Sequence, residues 1–443
     1  MSDETQASSA ETPDDVLPCA SAVGMAAPAG QDLGQLEESG KEYPRIVSAL
    51  RHRDFRLFWW GNFGSNIGTW MQNVAQGWLV LQLTNSAFWL GFIGFASSIP
   101  MLFFTLFGGV IADRMSKRRL LIYTQTSMMV FAFAMAALTY LKWISVWQIA
   151  LLAFFTGVAM ALNAPAYQAM MPQLVPIEDL SNAIALNSAQ FNLSRILGPT
   201  LGGYAMALVG IAGNFLLNAL SFLAVLVALV KIKYPPQTVQ QQATFYEKLR
   251  EGFVYVKQHP QLRAIVVLIS VSSFFGIPYV TFVPFFAKNV LHVGERGLGL
   301  LMAFAGFGAF LGAATIAWFG NMRHRGRVVV TFGLLFYAGI IGFALSRWFL
   351  VSCALEVIVG YAMILMVATL NTLVQNLSSD EMRGRVMSIY VTAFLGFPPV
   401  GGLIAGAAAN HITVPYTIAF MAFVAGVYFL VFYLKTPALQ ELD

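Results

Sequence analysis

The first fifty residues of this chain contain no apolar run, whereas from residue 55 to residue 434 apolar runs dominate. Twelve segments can be delimited, each near the ~20 residues a helix needs to cross a bilayer. They lie at 55–83, 87–112, 119–141, 146–170, 181–209, 211–232, 263–288, 297–320, 327–346, 349–376, 384–409 and 412–434. Several hold Gly and Pro, which membrane helices tolerate when neighbouring helices satisfy the freed backbone groups. The pattern predicts an all-α membrane protein with twelve transmembrane helices.

The longest polar interval splits these segments six and six. It opens with Tyr234-Pro235-Pro236 and a glutamine run, and then places apolar and aromatic residues at helical spacing from Phe245 to Val256. That spacing predicts an amphipathic helix lying on the inner membrane surface. The two sides of the interval echo each other. Gln173–Leu180 after the fourth segment matches Gln375–Met382 after the tenth. Gly198-Pro199 with Gly202-Gly203 in the fifth matches Pro398-Pro399 with Gly401-Gly402 in the eleventh. The basic stretch after the second segment has a weaker partner in Asn321–Arg327 after the eighth. Three matches in one order indicate a duplicated six-helix unit. Two pseudo-symmetric halves around a midplane cavity are the architecture of secondary transporters. The expected organisation is a tail over 1–50, an N-terminal half over 51–232, a cytoplasmic central loop over 233–262, a C-terminal half over 263–435 and a short cytoplasmic tail over 436–443.

Composition supports the membrane reading. Only 11% of the 443 residues are charged, against about 25% in soluble domains. Residues 1–50 are rich in Ser, Ala, Gly, Pro and acids and lack the basic start of a signal peptide, which predicts a disordered cytoplasmic tail. With the N-terminus inside, 21 of the 26 cations fall on the cytoplasmic side and four on the far side, with Arg195 left inside a segment. The positive-inside rule then places both termini in the cytoplasm of a multi-pass protein of the cell inner membrane. The cations follow topology and form no basic face, so nucleic acid is not an expected partner. Cys19 and Cys353 match no metal or disulfide spacing. The five histidines are scattered, which argues against a polytopic enzyme such as a lipid-modifying transferase. No catalytic residue, metal or cofactor is expected.

Twelve segments, a six-plus-six repeat and a long central loop resemble the major facilitator superfamily. The stretch Gly109-Val110-Ile111-Ala112-Asp113-Arg114-Met115-Ser116-Lys117-Arg118 is similar to that family's signature between helices two and three. Gly109, Ala112, Asp113, Arg114 and Arg118 match, Ile111 and Lys117 are conservative, and Ser116 replaces the second glycine. Three further stretches resemble the enterobactin-exporter-like and macrolide-efflux-like branch: Arg53–Phe58, Asn192–Pro199 and Arg383–Ser388. The resemblance covers about 45–435 and implies export of small organic molecules, siderophore-like or drug-like, driven by a proton gradient.

The candidate gating loop is Gly109, Asp113, Arg114, Lys117 and Arg118. Its cations serve topology whatever else they do. Asp113 has the more specific reading: an acid at the foot of the second segment meets the positive N-terminal end of a neighbouring helix. The resemblance implies that this helix is the eleventh, and that the contact locks the inner gate. The second copy of the loop keeps Arg323, Arg325 and Arg327 but has Asn321 in place of the acid.

In the first segment Asn62, Ser65, Asn66, Thr69, Gln72, Asn73 and Gln76 share one helix face. Two readings stand: a hydrogen-bonded seam between helices, and a wall of the central cavity, where the resembling family places its first helix. The second is preferred. Asn163 and Gln168 in the fourth segment and Tyr279 in the seventh are further cavity candidates, among aromatic neighbours that include Tyr167, Phe274 and Phe282. Gly276, Pro278 and Pro284 interrupt the seventh segment.

Two charges fall within apolar segments. Arg195 lies near the middle of the fifth, either binding an anionic group or tuning a nearby acid, or bonding carbonyls and fixing a kink at Gly198-Pro199. Glu356 lies near the outer end of the tenth, either as a proton-coupling acid, as a snorkelling acid, or as an ion-pair partner of Arg347. Asp54 is read as part of a solvated inner cluster with Arg53 and Arg56.

The expected function is a secondary active antiporter, working as a monomer in the bilayer by alternating access, with a small-molecule substrate and protons as the coupling ion. A lipid or lysophospholipid translocase and a solute uptake transporter stand as alternatives on the same fold.

Overall fold

The computed structural model describes residues 45–232, 245–319 and 324–435, except the side chains of 45–46, 105–114 and 245–249. The expected tail over 1–44, the start of the central loop, Asn321, Arg323 and the C-terminal tail lie outside the described residues.

The described chain is helical throughout, in the order α1 (Arg53–Thr84), α2 (Ala87–Arg114), α3 (Lys117–Tyr140), α4 (Val146–Met170), α5 (Leu180–Lys231), α6 (Phe245–Gln258), α7 (Pro260–Val271), α8 (Tyr279–Phe285), α9 (Gly294–Phe319), α10 (Arg325–Leu345), α11 (Phe349–Leu377), α12 (Asp380–Ile412) and α13 (Val414–Lys435). Ten helical runs among the described residues are long and apolar enough to cross a membrane.

Local chemistry sets the helix ends. Ser145 and Gln148 form a reciprocal capping box at the start of α4. Asn85 ends α1 in the left-handed conformation at φ 46°. α5 is 52 residues long and breaks at Gly210, whose φ of 75° with ψ of 175° is open to glycine at little steric cost. The expected kink at Gly198-Pro199 is not where α5 breaks. Pro199 remains inside the helix, where Gly198 and Gly202 face Trp70 and Met71 of α1 and Gly203 faces Gly299 of α9.

The stretch that Gly276, Pro278 and Pro284 interrupt contains two π-helical turns, Ser272–Gly276 and Phe286–Val290. Proline lacks an N–H, so the local ladder is re-spaced: Ile277 N–H reaches Ser272 O at 3.2 Å and Leu291 N–H reaches Phe286 O at 2.8 Å.

Residues Arg45–Arg51, placed partly in the tail by sequence, form a 3₁₀ helix tied to the turn before α5. Ser48 Oγ donates to Asp179 Oδ1 at 2.7 Å, and Arg51 and His52 reach Asp179 Oδ2 at 2.9 and 2.7 Å. The buried carboxylate holds the entry to α1 against the entry to α5.

α1 packs along α5, α2 along α4, and α3 against both α4 and α5; α11 packs on α9 and α10, and α10 on α13. These two sets meet through α2 with α12 and α5 with α9. Both junctions use glycine to bring backbones together: a Cβ at Gly91 would lie 2.4 Å from Gly402 O, and one at Gly299 would lie 2.8 Å from Pro199 O. α6 docks on α12 through Gly252, whose missing side chain admits the Arg385 backbone, and through an Arg385–Glu251 ion pair. The central-loop helix thus covers part of α12 with Gly252 and Val256 and leaves Phe253 and Val254 exposed.

Candidate functional site

A cavity of about 430 Å³ lies where the two helix sets meet. α1 contributes Trp70, Asn73 and Gln76, and α2 contributes Ser97. Pro278 and Thr281 face them from the other set, with Met302 of α9 and Phe394 of α12. Its wall is largely apolar with a few uncharged hydrogen-bonding groups, a lining suited to binding a small organic molecule.

The polar face of α1 divides. Asn73 and Gln76 line the cavity. Gln72 does not: its Oε1 accepts from Asn218 Nδ2 at 2.6 Å in the packed seam with α5. Asn62 is buried and donates to Phe58 O at 2.8 Å, and Thr69 donates to Ser65 O at 2.9 Å. Asn66 is half-buried and outside the lining. One helical face, 100° wide or more, can therefore meet both a neighbouring helix and a void.

Asn163 is also a seam residue, its Oδ1 accepting from Thr124 Oγ1 at 3.0 Å and Gln125 Nε2 at 3.3 Å between α3 and α4. Gln168 is exposed outside the lining. Tyr167 stacks on Phe58 and donates to Asn187, and Phe282 is fully buried in the core.

Tyr279 is buried immediately behind the cavity wall formed by Pro278 and Val280. Its hydroxyl donates to Glu356 Oε2 at 3.1 Å. Glu356 is 1% exposed, and its Oε1 has no hydrogen-bond partner among the described residues. Full burial rules out the snorkelling geometry, and the observed partner is Tyr279 rather than Arg347. Arg195 is half-buried on α5, within electrostatic range of Tyr279.

Of the loop residues, Arg118 donates to Leu229 O at 2.5 Å and to Val230 O at 2.7 Å. It caps the carbonyl end of α5, where a cation is favoured. Lys117 opens α3. Gly109, Asp113 and Arg114 belong to the last turns of α2, and their side chains lie outside the described residues.

Sequence reasoning did not find the contacts that join the two sets at the end of α1 opposite Arg53. Trp78 Nε1 donates to Glu295 Oε1 at 3.0 Å, Lys288 Nζ to Leu81 O at 2.7 Å, and Asn289 Nδ2 to Asn85 Oδ1 at 3.3 Å. Trp78 within an apolar run and Glu295 beside a glycine turn carried no local sign of one another.

Residues 46–443 match the family described as transmembrane secretion effector. The chain belongs to this family of the major facilitator superfamily. Among curated relatives, the staphyloferrin A transporter of Staphylococcus aureus is 24% identical over 369 residues, covering 83% of this chain and 92% of the relative. The enterobactin exporter EntS of Citrobacter koseri is 24% identical, covering 80% and 85%. The multidrug efflux pump Tap of Mycolicibacterium fortuitum is 24% identical, covering 76% and 84%. Among solved structures, a POT family transporter in complex with 5-aminolevulinic acid superposes with a TM-score of 0.72 at 12% identity, covering 88% of this chain and 97% of that one. A D-xylose-proton symporter superposes with a TM-score of 0.69 at 13% identity, covering 88% and 100%. The structural likenesses establish the fold. This major facilitator protein is thus a multi-pass inner-membrane secondary transporter of the exporter-like branch and not an enzyme.

Proposed function

We propose that this transporter exports a small siderophore-like or drug-like molecule by alternating access and proton antiport, as a monomer with both termini in the cytoplasm. The named substrates of the curated relatives, staphyloferrin A and enterobactin, and the multidrug pump among them support that range of cargo. Twelve crossings follow when α1, whose polar face lowers its hydropathy, and the two limbs of α5 around Gly210 are counted separately from the other nine runs. They form two six-helix halves over 51–232 and 263–435, rocking about the cavity.

The observation that carries the proton reading is Glu356. A buried carboxyl with one oxygen on Tyr279, the other unsatisfied, and no ion pair among the described residues has no cation to neutralise it. Burying a lone charge is costly. The proton on such a group is therefore linked to whether its surroundings are open or closed, which is what coupling requires.

Asp113 serves as the inner gate in this reading. Ala87, Gly91 and Leu102 of α2 lie against Gly406, Gly402 and Gly396 of α12, an antiparallel register. Continued along both helices, it brings position 113 level with the first turns of α12, beside Asp380–Arg385. The positive end of α12 is the partner this acid needs.

The test is efflux from cells lacking their own exporters, using a panel of siderophores, macrolides and dyes with and without an uncoupler. Wild-type efflux should collapse with the proton gradient, and Glu356→Gln should lose that dependence. Efflux by Glu356→Gln that remains fully gradient-driven removes the residue from the scheme. Normal efflux by a well-expressed Asp113→Asn protein removes the gate.

A further inference from the structure

α5 runs from Leu180 to its break at Gly210, and Arg195 stands at the midpoint of that limb. At ~1.5 Å per residue, it is about 22 Å from either end. A guanidinium does not give up its charge in proteins, so the fold holds a permanent cation at mid-depth.

Several described arginines are matched: Arg51 to Asp179, Arg383 to Asp380, Arg385 to Glu251, and Arg118 to the carbonyls ending α5. Arg195 has neither an ion pair nor a hydrogen bond among the described residues. Its titratable neighbour is Tyr279, whose neutral hydroxyl donates its proton to Glu356. The structural role open to a buried arginine, tying down carbonyls at a kink, is not in use here. The helix passes through Gly198-Pro199 and breaks at Gly210 instead.

The cavity approaches Arg195 on three helices. Trp70 lines it and packs against Gly198, three residues on from Arg195. Pro278 and Val280 line it on either side of Tyr279. Met302 lines it one turn from Gly306, which packs on Ile196 and the Arg195 carbonyl. Arg195 is half-buried rather than sealed. No Asp, Glu, Lys or Arg belongs to the described lining. A cationic molecule would therefore find no counter-charge in the lining, and Arg195 stands outside it, one helical turn before the Gly198 that Trp70 touches.

We infer that Arg195 is the recognition point for an acidic group of the cargo, and that the transported molecule is an organic anion bearing carboxylates. The planar fork of the guanidinium takes a carboxylate through two parallel hydrogen bonds. Asn73, Gln76 and Thr281 then serve the neutral polar groups of the same molecule, and Trp70 and Phe394 its apolar body. The assignment rests on the transport reading for the cavity being the path, but binding can be measured without transport.

The probe is citrate, a small tricarboxylate, titrated against thermal unfolding of the purified full-length protein in detergent. Sodium chloride controls for ionic strength, and tetraethylammonium is the cationic comparison. A ligand that binds only the folded state raises the melting temperature with concentration. Wild type should be stabilised saturably by citrate beyond the salt control and not by tetraethylammonium. Arg195→Gln should weaken the apparent affinity at least tenfold. Arg195→Lys, which keeps the charge and loses the fork, should weaken it by a smaller factor of at least threefold. Absence of citrate stabilisation in the wild type overturns the inference, as does a wild-type response in Arg195→Gln. If Arg195→Gln fails to fold, an unchanged response in Arg195→Lys overturns it. Citrate binding with no efflux of any compound would sink the exporter reading and leave the anion site standing.

Discussion

Lys288 holds its ammonium 2.7 Å from the carbonyl oxygen of Leu81, in the last turn of α1. The carbonyl end of a helix carries partial negative charge, and a cation there is favoured. With Trp78–Glu295 and Asn85–Asn289 alongside, the contact joins the two helix sets at the end of α1 opposite Arg53. In the proposed export cycle, cargo leaving by that end breaks all three. Removing a hydrogen bond of this kind costs about 1 kcal/mol, which shifts an open–closed ratio roughly fivefold. Lys288→Met is therefore expected to speed labelling of a cysteine at Thr281, on the cavity wall, by an impermeant maleimide added from outside. Unchanged labelling would show that the clasp does not set the balance.

Restraining the same clasp gives the converse. Cysteines at Asn85 and Asn289, joined by a short bis-methanethiosulfonate linker, are expected to abolish efflux, with activity returning on reduction. Efflux that continues through the linked protein would mean that this end does not open.

The two fates of the α1 polar face separate in measurement. Gln72→Leu should lower the melting temperature through loss of the Asn218 bond, a contribution of about 1 kcal/mol for such membrane pairs. A double-mutant cycle with Asn218→Leu should show coupling of that size. Asn73→Ala and Gln76→Ala should leave melting in place and change which compounds are exported. A reversed outcome would put the cavity on the other edge of the helix.

Tyr279→Phe tests the link between Glu356 and transport. Without the hydroxyl, Oε2 loses its partner and neither carboxyl oxygen has one among the described residues. A loss of about 1.4 kcal/mol at the rate-limiting step is tenfold in rate, and efflux should fall by about that factor. The control is Tyr337→Phe, whose hydroxyl bonds Ser272 at 2.8 Å away from the acid; it should change efflux little. Equal behaviour of the two variants would reduce Tyr279 to packing.

Backbone contact between α2 and α12 is tested by Gly91→Val. A Cβ there would stand 2.4 Å from Gly402 O, so the helices must part. Overpacking of this kind costs about 1–3 kcal/mol, and a clear drop in melting temperature is expected. A variant that melts like wild type would mean that the contact is already loose.

The helices were legible in the sequence because the bilayer fixes their length and composition. Gly210 fell between two apolar segments, and the capping and proline chemistry of α4 and α8 acts within a few residues. The membrane crossings therefore announced themselves locally. What stayed hidden was pairing across distance. The polar face of α1 said that seven side chains avoid lipid, but a sequence does not say which edge of a face meets α5 and which meets a void. Glu356 could be seen as an intramembrane acid, while its partner Tyr279 lies 77 residues away and only packing selects it over the nearer Arg347. Asp179 served the sequence only as part of a repeat, yet it anchors Ser48, Arg51 and His52.

The glycine contacts of α2 with α12 and α5 with α9 bear on how such a molecule moves. Where Gly91 meets Gly402 and Gly203 meets Gly299, main chain lies directly on main chain. At those two points no side-chain rotamer has to be reset for the helices to tilt. In the proposed rocking cycle these points are the bearings about which the closely fitted helices turn. Timing then falls to the few polar clasps at the ends, so a handful of side chains governs the rate at which the whole frame turns.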